Sequence, residues 1–223
     1  PAAAPPPVVA APAAPAAPPP APEASGPQNP VDSLAPPDAA LPALAESDAR
    51  VTELLAELLG RDKLATFLQT DGFVRRVVAS VDNLGRAHAP SRMWPVQPTA
   101  QRFVVDGTGD APTTIAAANA ARYSAFLAFA EAVPMEPAVA LYARLYPLFQ
   151  QAYEELGYPR RYFNDRLVAV LDQLLQAPER AGPLQVKLMP VNTDVPNLRP
   201  WVRYEFVDPA LEALPSGQKI LLR

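Results

Sequence analysis

Ser216-Gly217-Gln218-Lys219 has the S-x-x-K spacing of penicillin-interacting serine enzymes, in which a lysine one helical turn on activates the serine. That chemistry also uses an S-x-N and a K-T-G element, and the chain has neither. Ser216 after Pro215 is then an ordinary helix N-cap. Glu154, Glu155 and Asp165 are carboxylates of the kind a glycosidase places about 5–9.5 Å apart across a sugar. Adjacent glutamates on one helix point in different directions, so these are expected to be solvated charges. His88 lies in a loop past Gly85, with no neighbour in sequence to make it a general base. Gly107-Thr108-Gly109 lacks the third glycine of a dinucleotide loop and the Gly-Lys-Ser/Thr of a phosphate loop, which leaves a tight turn. The absence of cysteine and the single histidine exclude disulfide scaffolds, thiolate zinc sites, iron–sulfur clusters and multi-histidine metal centres. The residues therefore give no catalytic group, no metal ligand set and no cofactor.

One stretch suits binding rather than reaction. Tyr158, Arg160, Arg161, Tyr162 and Asn164 form a basic and aromatic turn between two strongly periodic segments, its backbone limited by Gly157 and Pro159. Arginine offers a planar donor fork and tyrosine a rigid contact area, a combination that fits an acidic partner. Cations at the start of a helix oppose its dipole, so helix stability alone would not select them there. The structural alternative is that Tyr158 and Tyr162 cover the core while Arg166 and Asp165 neutralise neighbouring charges. Trp94 and Trp201 are expected to seal the core or its edge.

Positioning these groups requires the following elements. Asp48 can cap a helix over 48–59 with Val51, Leu54, Leu55 and Leu58 on one face, closed by Gly60. A short piece around Leu64–Leu68 precedes a helix over 72–84 that buries Val74, Val77, Val78 and Val81 and stops at Gly85. Pro90, Pro95 and Pro98 force a loop. Spacings of three and four predict helices over 114–133, 138–156 and 161–177. Pro147, inside the second of these, removes the hydrogen bond to the Ala143 carbonyl and should bend it. Period-two alternation predicts strands near 103–105, 185–188 and 202–207, joined into one small sheet. The apolar run Lys219-Ile220-Leu221-Leu222-Arg223 has no closing signal, which suggests a further C-terminal helix beyond it. The fold class is mainly α, a helical bundle with a small antiparallel β-sheet.

Fifteen of the thirty prolines fall in the first 42 residues, where there is no Lys or Arg. Residues 1–42 are expected to form a disordered Pro/Ala-rich linker of extended polyproline character that packs on nothing, ahead of a single domain over 43–223. That second part holds 19 basic and 20 acidic side chains, a near-neutral balance that argues against a nucleic-acid partner.

Three blocks add a likeness. Tyr142-Ala143-Arg144-Leu145-Tyr146-Pro147-Leu148-Phe149-Gln150-Gln151-Ala152-Tyr153-Glu154-Glu155-Leu156-Gly157-Tyr158, with Phe163-Asn164-Asp165-Arg166 and Gly217-Gln218-Lys219-Ile220-Leu221-Leu222-Arg223, resembles an uncharacterised bacterial family catalogued as domain of unknown function three-zero-one-four. The resemblance covers about Leu44 to Arg223. It implies a periplasmic domain on a Pro/Ala-rich linker behind an inner-membrane helix, which would lie upstream of Pro1. It supplies no activity, cofactor or catalytic residue. The expectation is a non-catalytic interaction or scaffolding domain of the bacterial cell envelope, its partner another envelope protein. The alternative is an envelope hydrolase acting on peptidoglycan or peptide.

Overall fold

The computed structural model describes residues 26–223 apart from 33, 35, 39, 108–111 and 190–202. Four helices build the main core. They are α1 (Asp48–Leu59), α3 (Phe73–Leu84), α6 (Met135–Glu155) and α7 (Phe163–Leu175). Their inward residues follow from the three-and-four spacing: Val51, Leu54 and Leu55 of α1 and Val74 and Val78 of α3 meet Leu145, Leu148, Phe149 and Tyr153 of α6. Phe163, at the start of α7, is fully buried and stacks on Phe149 at 5.8 Å. The short α2 (Arg61–Phe67) follows Gly60, whose φ of +85° makes the left-handed reversal that a side chain would resist.

Asp48 does not cap its own helix. Its carboxylate accepts the Gly72 amide at 2.9 Å, tying the entry of α3 to the start of α1. α6 runs through Pro147 as a single helix. The neighbouring Arg144 carbonyl takes an outside donor, the Asp38 amide at 3.2 Å.

The helix expected over 114–133 is not continuous. Thr114–Ile115 is a strand (β2) paired antiparallel with β1 (Val105–Asp106), and two short helices follow, α4 (Ala118–Ala121) and α5 (Ser124–Glu131). The cause is Asn119, buried at the strand-to-helix corner. Its amide oxygen accepts the Val104 N–H at 3.0 Å and its nitrogen donates to the Val104 and Ala116 carbonyls. A side chain that satisfies a distant backbone in this way competes with helix propagation. α5 is held to α2 by Phe129, stacked on Phe67 at 4.5 Å, with Phe126 edge-on to the same ring.

The strands also differ from a single sheet of three. β3 (Val186–Leu188) pairs with β4 (Tyr204–Phe206), Val186 opposite Phe206 and Leu188 opposite Tyr204. This ribbon meets the first where Ile115 donates to the Leu184 carbonyl and Val186 to the Thr113 carbonyl. Val186, Phe206 and Leu211 form the second core, with Ile115 and Leu222 against it. α8 (Pro209–Glu212) packs on β4 and α9 (Ser216–Leu221) on α3 and α7, so the apolar run from Lys219 belongs largely to α9.

The expectation that residues 1–42 pack on nothing is corrected for the part described. Gln28 and Asn29 donate their amides to the Asp165 carboxylate at 3.1 and 2.7 Å, and Val31 is 5% exposed. Asp38 pairs with Arg144 at 3.3 Å, and Leu41 lies on the core. The amide of Ala40, with Arg144 beside it, holds the Asp38 carboxyl below its ordinary value. The described residues among 28–41 are thus a strap across α6 and α7. The polyproline runs before residue 26, the turn over 108–110 and the loop with Pro190, Pro196, Pro200 and Trp201 lie outside the described residues.

Candidate functional site

α6 ends at Glu155 with Gly157 just beyond it at φ +113°, and α7 begins at Phe163; the turn between them is braced from three sides. Tyr158 stacks on Tyr153 at 4.5 Å with the rings 23° apart. Its hydroxyl accepts a hydrogen bond from Arg86 and donates one to Asp82 at 3.3 Å. Gln150 holds the far side, donating to the Arg161 carbonyl at 2.8 Å and accepting from the Phe163 amide at 2.9 Å and from the Tyr146 hydroxyl at 3.1 Å. Asn164 is buried. It accepts from the Tyr142 hydroxyl and donates to the Asn29 carbonyl, each at 2.9 Å, so it fastens the strap.

Of the five residues that the sequence groups together, Arg160 and Arg161 are exposed, Tyr158 and Tyr162 half-buried, and Asn164 faces inward. Among the described residues neither arginine is in an ion pair. Both precede α7 rather than occupying its first turn, where Asp165 stands. Burial pushes the Tyr142 and Tyr153 hydroxyls upward, so the braces stay protonated at neutral pH.

Asp82 is the residue that the sequence reading missed. Its buried carboxylate faces Arg86 at 2.6 Å and Arg166 at 3.2 Å, and Arg166 also donates to the Asp82 carbonyl at 2.7 Å. Arg166 therefore neutralises Asp82 on α3 and not its neighbour Asp165. Gly85 leaves the space for it, because a Cβ there would stand 2.7 Å from the Arg166 guanidinium. A signal was present: positions 74, 78 and 82 share one face of α3, and an acid interrupts the valines.

The groups considered for chemistry are bound elsewhere. Ser216 is the first residue of α9 and does not cap it; its Oγ donates to the Asn83 carbonyl at 2.8 Å, while Lys219 pairs with Glu212 at 2.8 Å. Glu155 pairs with Arg75 at 3.1 Å, Glu154 accepts from Gln150, and Asp165 holds the strap. His88 is exposed and Trp94 half-buried. Among the described residues no three of His, Asp and Glu come together as a metal could use them. An open groove of about 610 Å³ runs between α1 and α2, lined in part by Thr52, Glu53, Ala56, Arg61 and Leu64.

Together these features define a mainly helical domain whose buried charge cluster fixes an exposed dibasic turn. No single helix among the described residues is long and apolar enough to cross a membrane. Residues 73–223 match the family described as a protein of unknown function (DUF3014), and the chain belongs to that family. The match begins at the first residue of α3 and takes in the dibasic turn, the Asp82 cluster and α9. No curated protein and no solved structure matches the chain.

Proposed function

We propose that this chain is a non-catalytic interaction or scaffolding domain of the bacterial cell envelope, presented in the periplasm on a Pro/Ala-rich tether from an inner-membrane anchor. Its partner is another envelope protein, met through an acidic patch by Arg160 and Arg161. The observation that carries this reading is the contrast within one turn. Tyr158, Gln150 and Asn164 spend their hydrogen bonds holding the backbone, while the two adjacent arginines are exposed and outside any ion pair among the described residues. A rigid turn lowers the ordering cost of presenting side chains to a partner. The bonds that Ser216, Glu154, Glu155 and Asp165 make to backbone and side chains support binding over hydrolysis.

The test is affinity purification of the tethered protein from cross-linked envelope fractions, comparing the native chain with Arg160→Ala/Arg161→Ala. The native chain is expected to retain a specific protein whose capture falls as salt rises, and the double variant to lose it. Equal capture by both would remove the turn from the interface. A β-lactam probe is expected to leave no adduct on Ser216; a mass gain that disappears in Ser216→Ala would restore the hydrolase reading.

A further inference from the structure

Among the described residues α5 packs on one side only. Phe126 and Phe129 lie against Phe67, while Ala125, Leu127, Ala128 and Ala130 face outward, Leu127 being 55% exposed. The apolar surface continues past Pro134 to Met135, 69% exposed, and Val139. The ends of this helix carry opposite charge. Arg122, just before it, gives its guanidinium to neutral acceptors, namely Thr99 Oγ1, the Ala100 and Gln101 carbonyls and Asn119 Oδ1. Glu131, its last residue, is exposed and in no ion pair among the described residues.

We propose that this face is an isologous contact with a second copy of the chain, the two α5 helices antiparallel about a two-fold axis near Leu127. The charge pattern selects that occupant. An antiparallel copy sets each Glu131 beside the other's Tyr123 and Arg122, and parallel pairing would put like charges together. Ser124 and Ala130, the small exposed residues that flank Leu127 on the same face, permit the close approach that helix pairs need, about 8–10 Å between axes. A lipid surface fits less well. Residues 123–143 contain no Lys or Arg, whereas helices that lie on anionic membranes carry basic residues on their polar face. Eight-residue helices, about 12 Å long, and the Met135 elbow make a small face beside the ~1,200–2,000 Å² that stable interfaces bury, so the dimer is weak, dissociating in the micromolar range.

Sedimentation velocity on the full 223-residue chain from about 1 to 200 μM, a span around that range, tests this directly. The native chain is expected to shift from monomer to dimer, and Leu127→Glu to stay monomeric with an unchanged thermal unfolding curve. Glu131→Arg, a change at an exposed position, is expected to weaken the dimer at least several-fold. The chain has no cysteine, so Leu127→Cys provides a second readout. Mild oxidation should link it as a dimer at least ten times faster than Leu175→Cys, which sits on α7 and is 85% exposed. A native chain monomeric throughout, a dimer untouched by Leu127→Glu, or equal linking of both cysteine variants would overturn the proposal. So would a monomer that binds phosphatidylglycerol vesicles through Leu127, which would assign the face to a membrane.

Discussion

Asp82 places a carboxylate, 5% exposed, where α3, α7 and the dibasic turn meet. Two guanidinium groups and the Tyr158 hydroxyl satisfy it; without the acid, Arg166 keeps its bond to the backbone carbonyl of residue 82 and Arg86 turns to solvent. With the partner arginines 51% and 27% exposed, loss of the acid costs about 1–3 kcal/mol, so Asp82→Ala is expected to lose that much stability in urea unfolding. The same variant should loosen the turn, read as faster hydrogen exchange at the Arg161 amide, which donates to the Tyr158 carbonyl at 3.1 Å. Retention of native stability would show that the cluster contributes nothing net. Phe163, fully buried between Phe149 and Tyr153, gives a contrasting case without charge. Phe163→Ala is expected to cost about 3–5 kcal/mol through cavity formation, with no dependence on salt.

Elements dock through their ends as much as through their faces. Gly217 lets α9 approach α3 and α7: a Cβ there would lie 2.5 Å from a Leu174 methyl and 3.0 Å from the Leu84 carbonyl oxygen. The methyl can turn aside but the carbonyl is backbone, so Gly217→Ala is expected to cost about 1–3 kcal/mol in thermal unfolding. Glu212 joins α8, α9 and β4 by accepting from Lys219 and from the Phe206 amide at 2.9 Å. Burial alone would raise its carboxyl, but Lys219, the Phe206 amide and Arg223 together hold it below the ordinary value of 4.5. The stabilisation is therefore complete above that ordinary value and is lost as pH falls through the lowered one. Exchange of the Phe206 amide should quicken in that acid window in the native chain, and Glu212→Gln should remove the dependence. At this scale the sequence exposed α1, α3, α6 and α7 to within a few residues, because apolar spacing of three and four records a face buried in a helix. It could not reveal that residues 114–133 divide, because the division depends on Asn119 reaching Val104, a tertiary contact with no local period. The dibasic turn was legible as a group. That Asn164 faces inward was not, since its partners Tyr142 and Asn29 come from a helix and a strap distant in sequence.

For the whole molecule, the strap decides where the folded unit begins. Composition marks a border near residue 42, yet Asp165 and Arg144 hold Asn29 and Asp38. Proline and alanine content reports the capacity to build a core and says nothing of a segment that borrows one. A chain starting at Gly26 is expected to melt about 4–12 °C above one starting at Ala43, the effect of roughly 2–3 kcal/mol on a domain of this size. Equal melting temperatures would return the border to residue 42. The central claim is that Arg160 and Arg161 serve a neighbour outside the fold. Thermal unfolding of Arg160→Ala/Arg161→Ala, run beside capture of the envelope partner by the same sample, tests it most directly. The account predicts stability within about 0.5 kcal/mol of the native chain, as for exposed positions generally, together with lost capture. A marked drop in melting temperature with capture retained would contradict it and make the arginines part of the scaffold.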